Sequence, residues 1–222
     1  MMQALADYRT LVFDCDGVIL NSNRIKTEAF YQTALPYGEE AAASLVSYHV
    51  ANGGVSRYRK FEYFLSRIVG TSDQFQLDEL LARYAALVRE GLLNCEIAAG
   101  IEALRAATPD STWLVVSGGD QAELREVFSL RGLQSYFDGG IFGSPDDKRT
   151  ILARELQNGN IKLPGVLLGD SRLDFSCAME GNLDFVFVSE WSEFFGWQEF
   201  FDQQQVAVDV VAQIQSLVQV PA

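Results

Sequence analysis

The chain predicts an α/β fold, a doubly wound and mostly parallel sheet that is interrupted near its start by an all-helical insertion. Three observations carry this. Short apolar runs at 11–13, 113–116, 165–168 and 184–188 are separated by helical stretches, and strands alternating with helices imply a parallel sheet covered on both faces. From 24 to about 94 the apolar spacing is helical throughout, with no credible strand. Three of the candidate strands run into small or acidic polar residues: Asp14 with Asp16, Ser117, and Asp170. The division expected is a core of 1–20 and 96–222 with a helical domain of 21–95 set into it.

Composition bounds what such a chain can do. With 222 residues, 48% hydrophobic and 21% charged, there is room for one large domain or a core with an insertion. The formal charge of -13 argues against nucleic acid or an anionic membrane as partner, since both are held by positive surface. A small phosphorylated substrate needs only a few local cations and stays open. Cys15, Cys95 and Cys177 are odd in number and far apart, with no Cys-x-x-Cys pair, so neither a zinc site nor a disulfide framework is indicated. Reduced thiols point to a cytoplasmic protein. Residues 1–10 contain Asp7 and Arg9 and lack the apolar centre of a signal peptide. No apolar run approaches the roughly 20 residues of a membrane span. The sequence does not indicate an oligomeric state.

In order along the chain, 11–13 read as a buried strand running into the turn Asp14-Cys15-Asp16-Gly17, and Ile19-Leu20 complete a short extended piece. Asn21-Ser22-Asn23 offers N-cap chemistry. Helices follow over 24–35, stopped by Pro36, and over 39–51, stopped by Gly53-Gly54. Ser56 caps a third with Tyr58, Phe61, Leu65 and Ile68 on one face, ended by Gly70. A fourth carries Leu77, Leu80, Leu81, Tyr84, Leu87 and Val88 and ends near Gly91. Beyond it come a helix over 100–107, the strand 113–116 delivering Ser117-Gly118-Gly119, and a helix from the cap Asp120 to Leu130. A strand at 140–142 then precedes a helix from Lys148 to Gln157 capped by Asp146 or Asp147. The strand 165–168 delivers Gly169-Asp170-Ser171, a helix runs through Met179, and 184–188 form a last parallel strand. The tail after Gln205, with Val208, Val211, Ile214 and Val218, reads as an amphipathic helix. Trp191, Phe194, Phe195, Trp197, Phe200 and Phe201 form an aromatic cluster, either core packing or an interface patch.

Two carboxylates at one strand end call for explanation, because buried charges need partners and close like charges resist joint ionisation. A cation between them, or divided acid and base roles, would supply it; an acidic turn is the plainer alternative. In open α/β sheets ligands bind at the carboxyl ends of the strands, where Asp14, Asp16, Ser117 and Asp170 would gather.

Four segments resemble the motifs of the haloacid dehalogenase-like hydrolase superfamily, in that family's order: Phe13-Asp14-Cys15-Asp16-Gly17-Val18, Ser117 after an apolar strand, Lys148 opening a helix, and Leu168-Gly169-Asp170-Ser171-Arg172-Leu173-Asp174. The resemblance covers essentially the whole chain and implies a Rossmann-like core with a helical cap inserted after the first motif. It implies that Asp14 is the nucleophile that forms an aspartyl-phosphate. Asp16 would be the general acid and base, a residue that the family's phosphatases and phosphomutases have and its dehalogenases lack. It implies Mg²⁺ held by Asp14, the main-chain carbonyl of Asp16, Asp170 and Asp174. Ser117 and neighbouring N–H groups such as that of Gly118 would hold phosphoryl oxygens, and Lys148 would offset their charge. The plainer alternatives are a helix-dipole acid for Asp174, a solvated pair for Lys148 and Arg149, and an ordinary turn hydroxyl for Ser117.

The only cation-rich stretch of the insertion is 49–60, where Arg57, Arg59 and Lys60 follow paired glycines. Either Arg57 or Lys60 meets a substrate carboxylate or phosphate, or they form a solvent-facing stripe. His49, the single histidine, reads as structural. Asn21 stands where many relatives carry an acid, and the run Val18-Ile19-Leu20 with Ser22-Asn23 resembles members associated with sugar-acid or surface-polysaccharide metabolism. The expected activity is a Mg²⁺-dependent phosphatase acting on a small phosphorylated metabolite of the sugar or sugar-acid kind. The alternatives are a phosphomutase and a catalytically idle binding or regulatory protein.

Overall fold

The computed structural model describes residues 4–204 and 206–218. Its centre is a six-stranded sheet of β1 (Thr10–Phe13), β2 (Thr112–Asp120), β3 (Gly140–Ser144), β4 (Gly165–Gly169), β5 (Asp184–Val188) and β6 (Asp209–Val211). The strand order is β3-β2-β1-β4-β5-β6 and every pair is parallel. Alternation along each strand sends side chains to two layers. Leu11 and Phe13 join Trp113, Val115, Val166 and Leu168 on one side, while Val12 joins Leu114, Val116, Leu167 and Phe187 on the other. Both faces are dry, which is why these strands read as unbroken apolar runs.

The insertion consists of α1 (Asn23–Ala34), α2 (Glu39–Ala51), α3 (Arg57–Tyr63), continued to Val69 as a π-helical segment, and α4 (Gln74–Asn94). Phe30, Leu45, Phe61, Leu65, Tyr84 and Val88 fill its interior. The chain leaves after β1 and returns where Leu20 bridges antiparallel to Ile97. α4 passes Gly91, expected to end it, and runs on to Asn94. A Cβ at Gly91 would lie 2.5 Å from Ile25 Cγ2, so this glycine lets α1 and α4 approach rather than stopping a helix.

The core helices are α5 (Ile101–Ala107), α6 (Gln121–Leu130), α7 (Lys148–Gln157), α8 (Arg172–Glu180) and α9 (Trp197–Asp202). Asp120 caps α6 by accepting from Glu123 N–H at 2.9 Å, and Asp147 caps α7 by accepting from Thr150 N–H at 2.8 Å. Ser22 precedes α1 without capping it; its hydroxyl goes to Asp16.

The tail is not an amphipathic helix. Asp209–Val211 add β6 beside β5, and a short 3₁₀ turn, Ile214–Leu217, buries Ile214. Val206, Val208 and Val210 alternate at the strand period while Val208, Val211 and Ile214 fit the helical one, and an open strand edge beside β-branched residues decides for the strand. The aromatic cluster is mainly core: Phe200 and Phe201 meet Phe175, Phe194 and Trp197 meet Phe187, all in edge or tilted contacts, and Phe195 alone of the cluster stands exposed. No helix among the described residues is long and apolar enough to cross a membrane.

Candidate active site

Outward from β1 the chain fills the sheet first through β2 and β3, then on the other side through β4, β5 and β6, so the order reverses between β1 and β4. A crevice opens outside strand ends at such a point. Asp14 follows β1, its N–H donating to Leu168 O at 2.9 Å, and Asp170 follows β4. Lys148 is the first residue of α7, and Asp174 lies in the first turn of α8.

These four side chains form one buried cluster. Asp14, Asp170 and Asp174 each bring a carboxylate oxygen within 4.8 Å of the others. Lys148 Nζ lies 2.9 Å from Asp14 Oδ2 and 2.5 Å from Asp174 Oδ1. Asp174 Oδ2 accepts from Ser171 N–H at 3.1 Å and from the Ser171 hydroxyl at 2.5 Å, closing a capping box. Asp174 is thus both a helix-start acid and a member of the cluster. Asp170 Oδ2 accepts from Asn23 Nδ2 at 2.7 Å. A Cβ at Gly17, where φ is +75°, would lie 2.2 Å from that oxygen, so glycine is required twice over.

Three acids share one lysine, and the electrostatics show the shortfall. Burial pushes the Asp14 carboxyl up to about 7, with Asp174 and Asp16 adding to the rise and Lys148 opposing it. Burial, then Asp14 and Asp174, hold Asp170 well above the usual carboxylate range. The Lys148 ammonium is raised because its two carboxylate partners outweigh the cost of burial. An all-oxygen donor set with excess negative charge fits a hard divalent cation.

Asp16 stands outside this cluster, on the cavity wall beside Asp14. Its Oδ2 is 2.5 Å from Lys26 Nζ and its Oδ1 accepts from the Ser22 hydroxyl at 2.6 Å. Burial alone would raise its carboxyl, but the Lys26 charge and these hydrogen bonds bring it below the usual value. Ser117 is fully buried, its Oγ accepting from Gly119 N–H at 3.0 Å; Gly118 and Gly119, not Ser117, line the cavity. Cys15 is buried and its N–H donates to Asp14 Oδ1 at 2.7 Å.

Above the strand ends lies a cavity of about 290 Å³ roofed by the insertion. The loop Gly53-Gly54 closes one side: a Cβ on Gly118 would lie 2.2 Å from Gly54 O, and one on Gly53 3.2 Å from Ser171 Cβ. Arg57 and Lys60 both line the cavity and both are buried, so the solvent-facing stripe reduces to Arg59, which pairs with Glu62. Arg57 is already engaged: its guanidinium makes a two-pronged ion pair with Glu123 of α6 and lies 4.8 Å from the Tyr84 ring centroid. Lys60 Nζ sits 2.7 Å from His49 Nδ1. His49, expected to be only structural, also lines the cavity.

The sequence reads Asn23 as a capping residue only and gives Lys26 and Glu193 no role. Asn23 and Lys26 are three apart on α1, immediately after the double-aspartate turn, and that spacing was the available signal. Glu193 carried none, since only the chain path brings it to Thr27, whose hydroxyl donates to its Oε2 at 2.7 Å.

Residues 8–163 match the family model of the haloacid dehalogenase-like hydrolases. No curated protein matches the chain. Among solved structures, a predicted phosphatase from Clostridium acetobutylicum superposes with a TM-score of 0.72 at 18% identity, over 96% of this chain and 97% of that one. The β-phosphoglucomutase of Clostridium difficile gives 0.69 at 19% identity, over 95% and 93%. At these identities the likeness is one of fold.

Proposed function

We propose that this chain, which belongs to the haloacid dehalogenase-like hydrolase family, is a Mg²⁺-dependent phosphatase of small phosphorylated metabolites of sugar or sugar-acid size. The observation that carries the reading is the buried cluster of Asp14, Asp170 and Asp174 around Lys148 at the β1–β4 reversal. Within it, we assign 1–20 and 96–222 to the catalytic core and 21–95 to the cap.

Asp14, Asp170, Asp174 and the main-chain carbonyl of Asp16 would hold the cation, which when bound supplies positive charge beside the transferring phosphoryl group. Asp14 attacks phosphorus and becomes the aspartyl-phosphate while the bond to the leaving oxygen breaks. Asp16 delivers a proton to that oxygen and recovers one from the water that later attacks the phosphorus; its ionised, Lys26-paired state is the form the water step uses. Lys148 spreads positive charge over the nucleophile, and the Gly118 N–H would face a phosphoryl oxygen, while the Ser117 hydroxyl, buried behind the cavity wall, holds the turn by accepting from Gly119 N–H. The cap covering the cavity limits the water that reaches it.

Phosphate release from a panel of phosphosugars, sugar-acid phosphates and phosphoglycolate tests this. Wild type should release phosphate with Mg²⁺, lose the activity on chelation and recover it on metal addition, and Asp14→Asn should be inactive. Isomerised product without net release would make the chain a phosphomutase instead. Equal activity in Asp14→Asn would overturn the mechanism.

A further inference from the structure

Three buried cations line the cavity, and two of them are spoken for. Lys26 pairs with Asp16, and Arg57 pairs with Glu123. Lys60, 2% exposed, has no carboxylate at ion-pair distance among the described residues. Its ammonium lies 5.5 Å from the Phe30 ring centroid, and its one hydrogen-bond partner among the described residues is His49 Nδ1. That contact decides the imidazole's tautomer. With Lys60 as an ammonium, which has donors only, Nδ1 must accept; the proton then sits on Nε2, which donates to Thr27 Oγ1 at 3.1 Å, and the Thr27 hydroxyl donates to Glu193 Oε2. The relay therefore runs one way, from a cation at Lys60 to an anion at Glu193, both on the cavity wall. Of the three N–H donors of Lys60, two remain for a ligand.

A buried ammonium without a counter-charge is costly. Burial and the neighbouring Lys26 hold Lys60 down to about 7, even though Asp16 and Glu193 pull the other way. A negative group entering the cavity would relieve that cost.

We propose that Lys60, positioned by His49, is a second anion subsite and that the substrate is a small phosphomonoester bearing a carboxylate at its far end. This rests on the phosphatase reading for the phosphoryl half of the molecule. The choice of a carboxylate over a second phosphoryl group follows from the donors. One cation with two free N–H groups matches the charge and the two oxygens of a carboxylate, whereas a phosphoryl dianion calls for more of both. Glu193 repels additional negative charge beyond that and accepts from a hydroxyl, so the class is phosphorylated hydroxy acids.

The test uses pairs of phosphomonoesters that differ only at the far end: phosphoglycolate against hydroxyethyl phosphate, phosphoglycerate against glycerol phosphate, phosphogluconate against sorbitol phosphate. Wild type should favour at least one acid over its alcohol by roughly tenfold or more in kcat/KM, mainly through KM. Lys60→Met should remove most of that preference and Lys60→Arg should restore part of it. Equal losses on acid and alcohol in Lys60→Met, no preference in wild type, or a stronger preference for fructose bisphosphate would each overturn the proposal. Calorimetric titration with glycerate and gluconate reads the subsite without turnover. Binding by wild type that Lys60→Met loses supports the subsite even if no phosphoester is hydrolysed, in which case only the phosphatase reading falls. Absence of binding, together with the absence of hydrolysis, removes both.

Discussion

Lys148 stands between two carboxylates that would otherwise repel each other in a dry site, at 2.9 Å from Asp14 and 2.5 Å from Asp174. Lys148→Met keeps the stem and removes the charge. Loss of one such stabiliser is expected to lower kcat by about 10²–10³-fold, by comparison with an oxyanion-hole donor. Steady-state rates at saturating Mg²⁺ check this, and a rate within threefold or so of wild type would remove Lys148 from the machinery. Lys60 makes the opposite electrostatic case. Its lowered value, about 7, lies below the ordinary 10.5 of an unfolded chain. Below pH 7 both states carry the proton, so the burial cost is fully present; between 7 and 10.5 only the unfolded chain keeps it, and stability rises with pH. Against Lys60→Met, the ligand-free wild type should therefore gain stability above pH 7, on the order of 1 kcal/mol per pH unit. Urea unfolding of both proteins at pH 6.5 and pH 8.5 measures it, and a difference independent of pH contradicts it.

The elements place these residues through their ends. β1 and β4 pair in register over Thr10–Phe13 and Gly165–Leu168, so the residues that follow each strand, Asp14 and Asp170, emerge together. α7 begins at Lys148 because Asp147 caps it, and α8 begins beside Asp174 because Ser171 and Asp174 cap each other. The cap loop makes its tightest approach to the core at Gly53 and Gly54. Gly118→Ala would put a methyl group 2.2 Å from Gly54 O, a backbone atom that cannot rotate away, and the loop must shift. A displacement of that order near the reacting atoms can cost about 10²-fold in kcat/KM. Kinetics together with faster amide exchange in 52–56 would show it; normal activity with unchanged exchange would mean that the seat is not required.

At the scale of the molecule, cap and core share one apolar cluster, from Phe30, Phe61 and Tyr84 through Leu20 to Phe13 and Trp113. Polar contacts then fix how the cap sits. Arg57 grips Glu123 and the Tyr58 hydroxyl donates to Asp120 at 2.7 Å, both on the first turn of α6 or its cap. The ion pair is mostly buried, so breaking it leaves a charge uncompensated. A double-mutant cycle of Arg57→Met and Glu123→Gln should show a coupling of about 1–3 kcal/mol in unfolding free energy. Simple additivity would count against a structural link between cap and core at that place.

Much of this was legible from residue types. Unbroken apolar runs mark strands buried on both faces, and Asp or Ser before a helix marks its start, so the sheet, the insertion and the ends of α6 and α7 could be read directly. The tail could not, because alternate short valines suit either state until a strand edge is present to pair with. Gly91 misled for a similar reason: a glycine needed for close helix approach looks like a helix stop. The sequence by itself placed Asp14, Lys148, Asp170 and Asp174 at or beside the ends of strands and helices, because apolar runs and capping residues mark those ends locally. Tertiary structure decided what each charged group faces. It gave Lys26 to Asp16 and Arg57 to Glu123, seated Gly54 on Gly118, and left Lys60 with a neutral imidazole, because pairing between distant segments follows the packed chain path rather than sequence spacing.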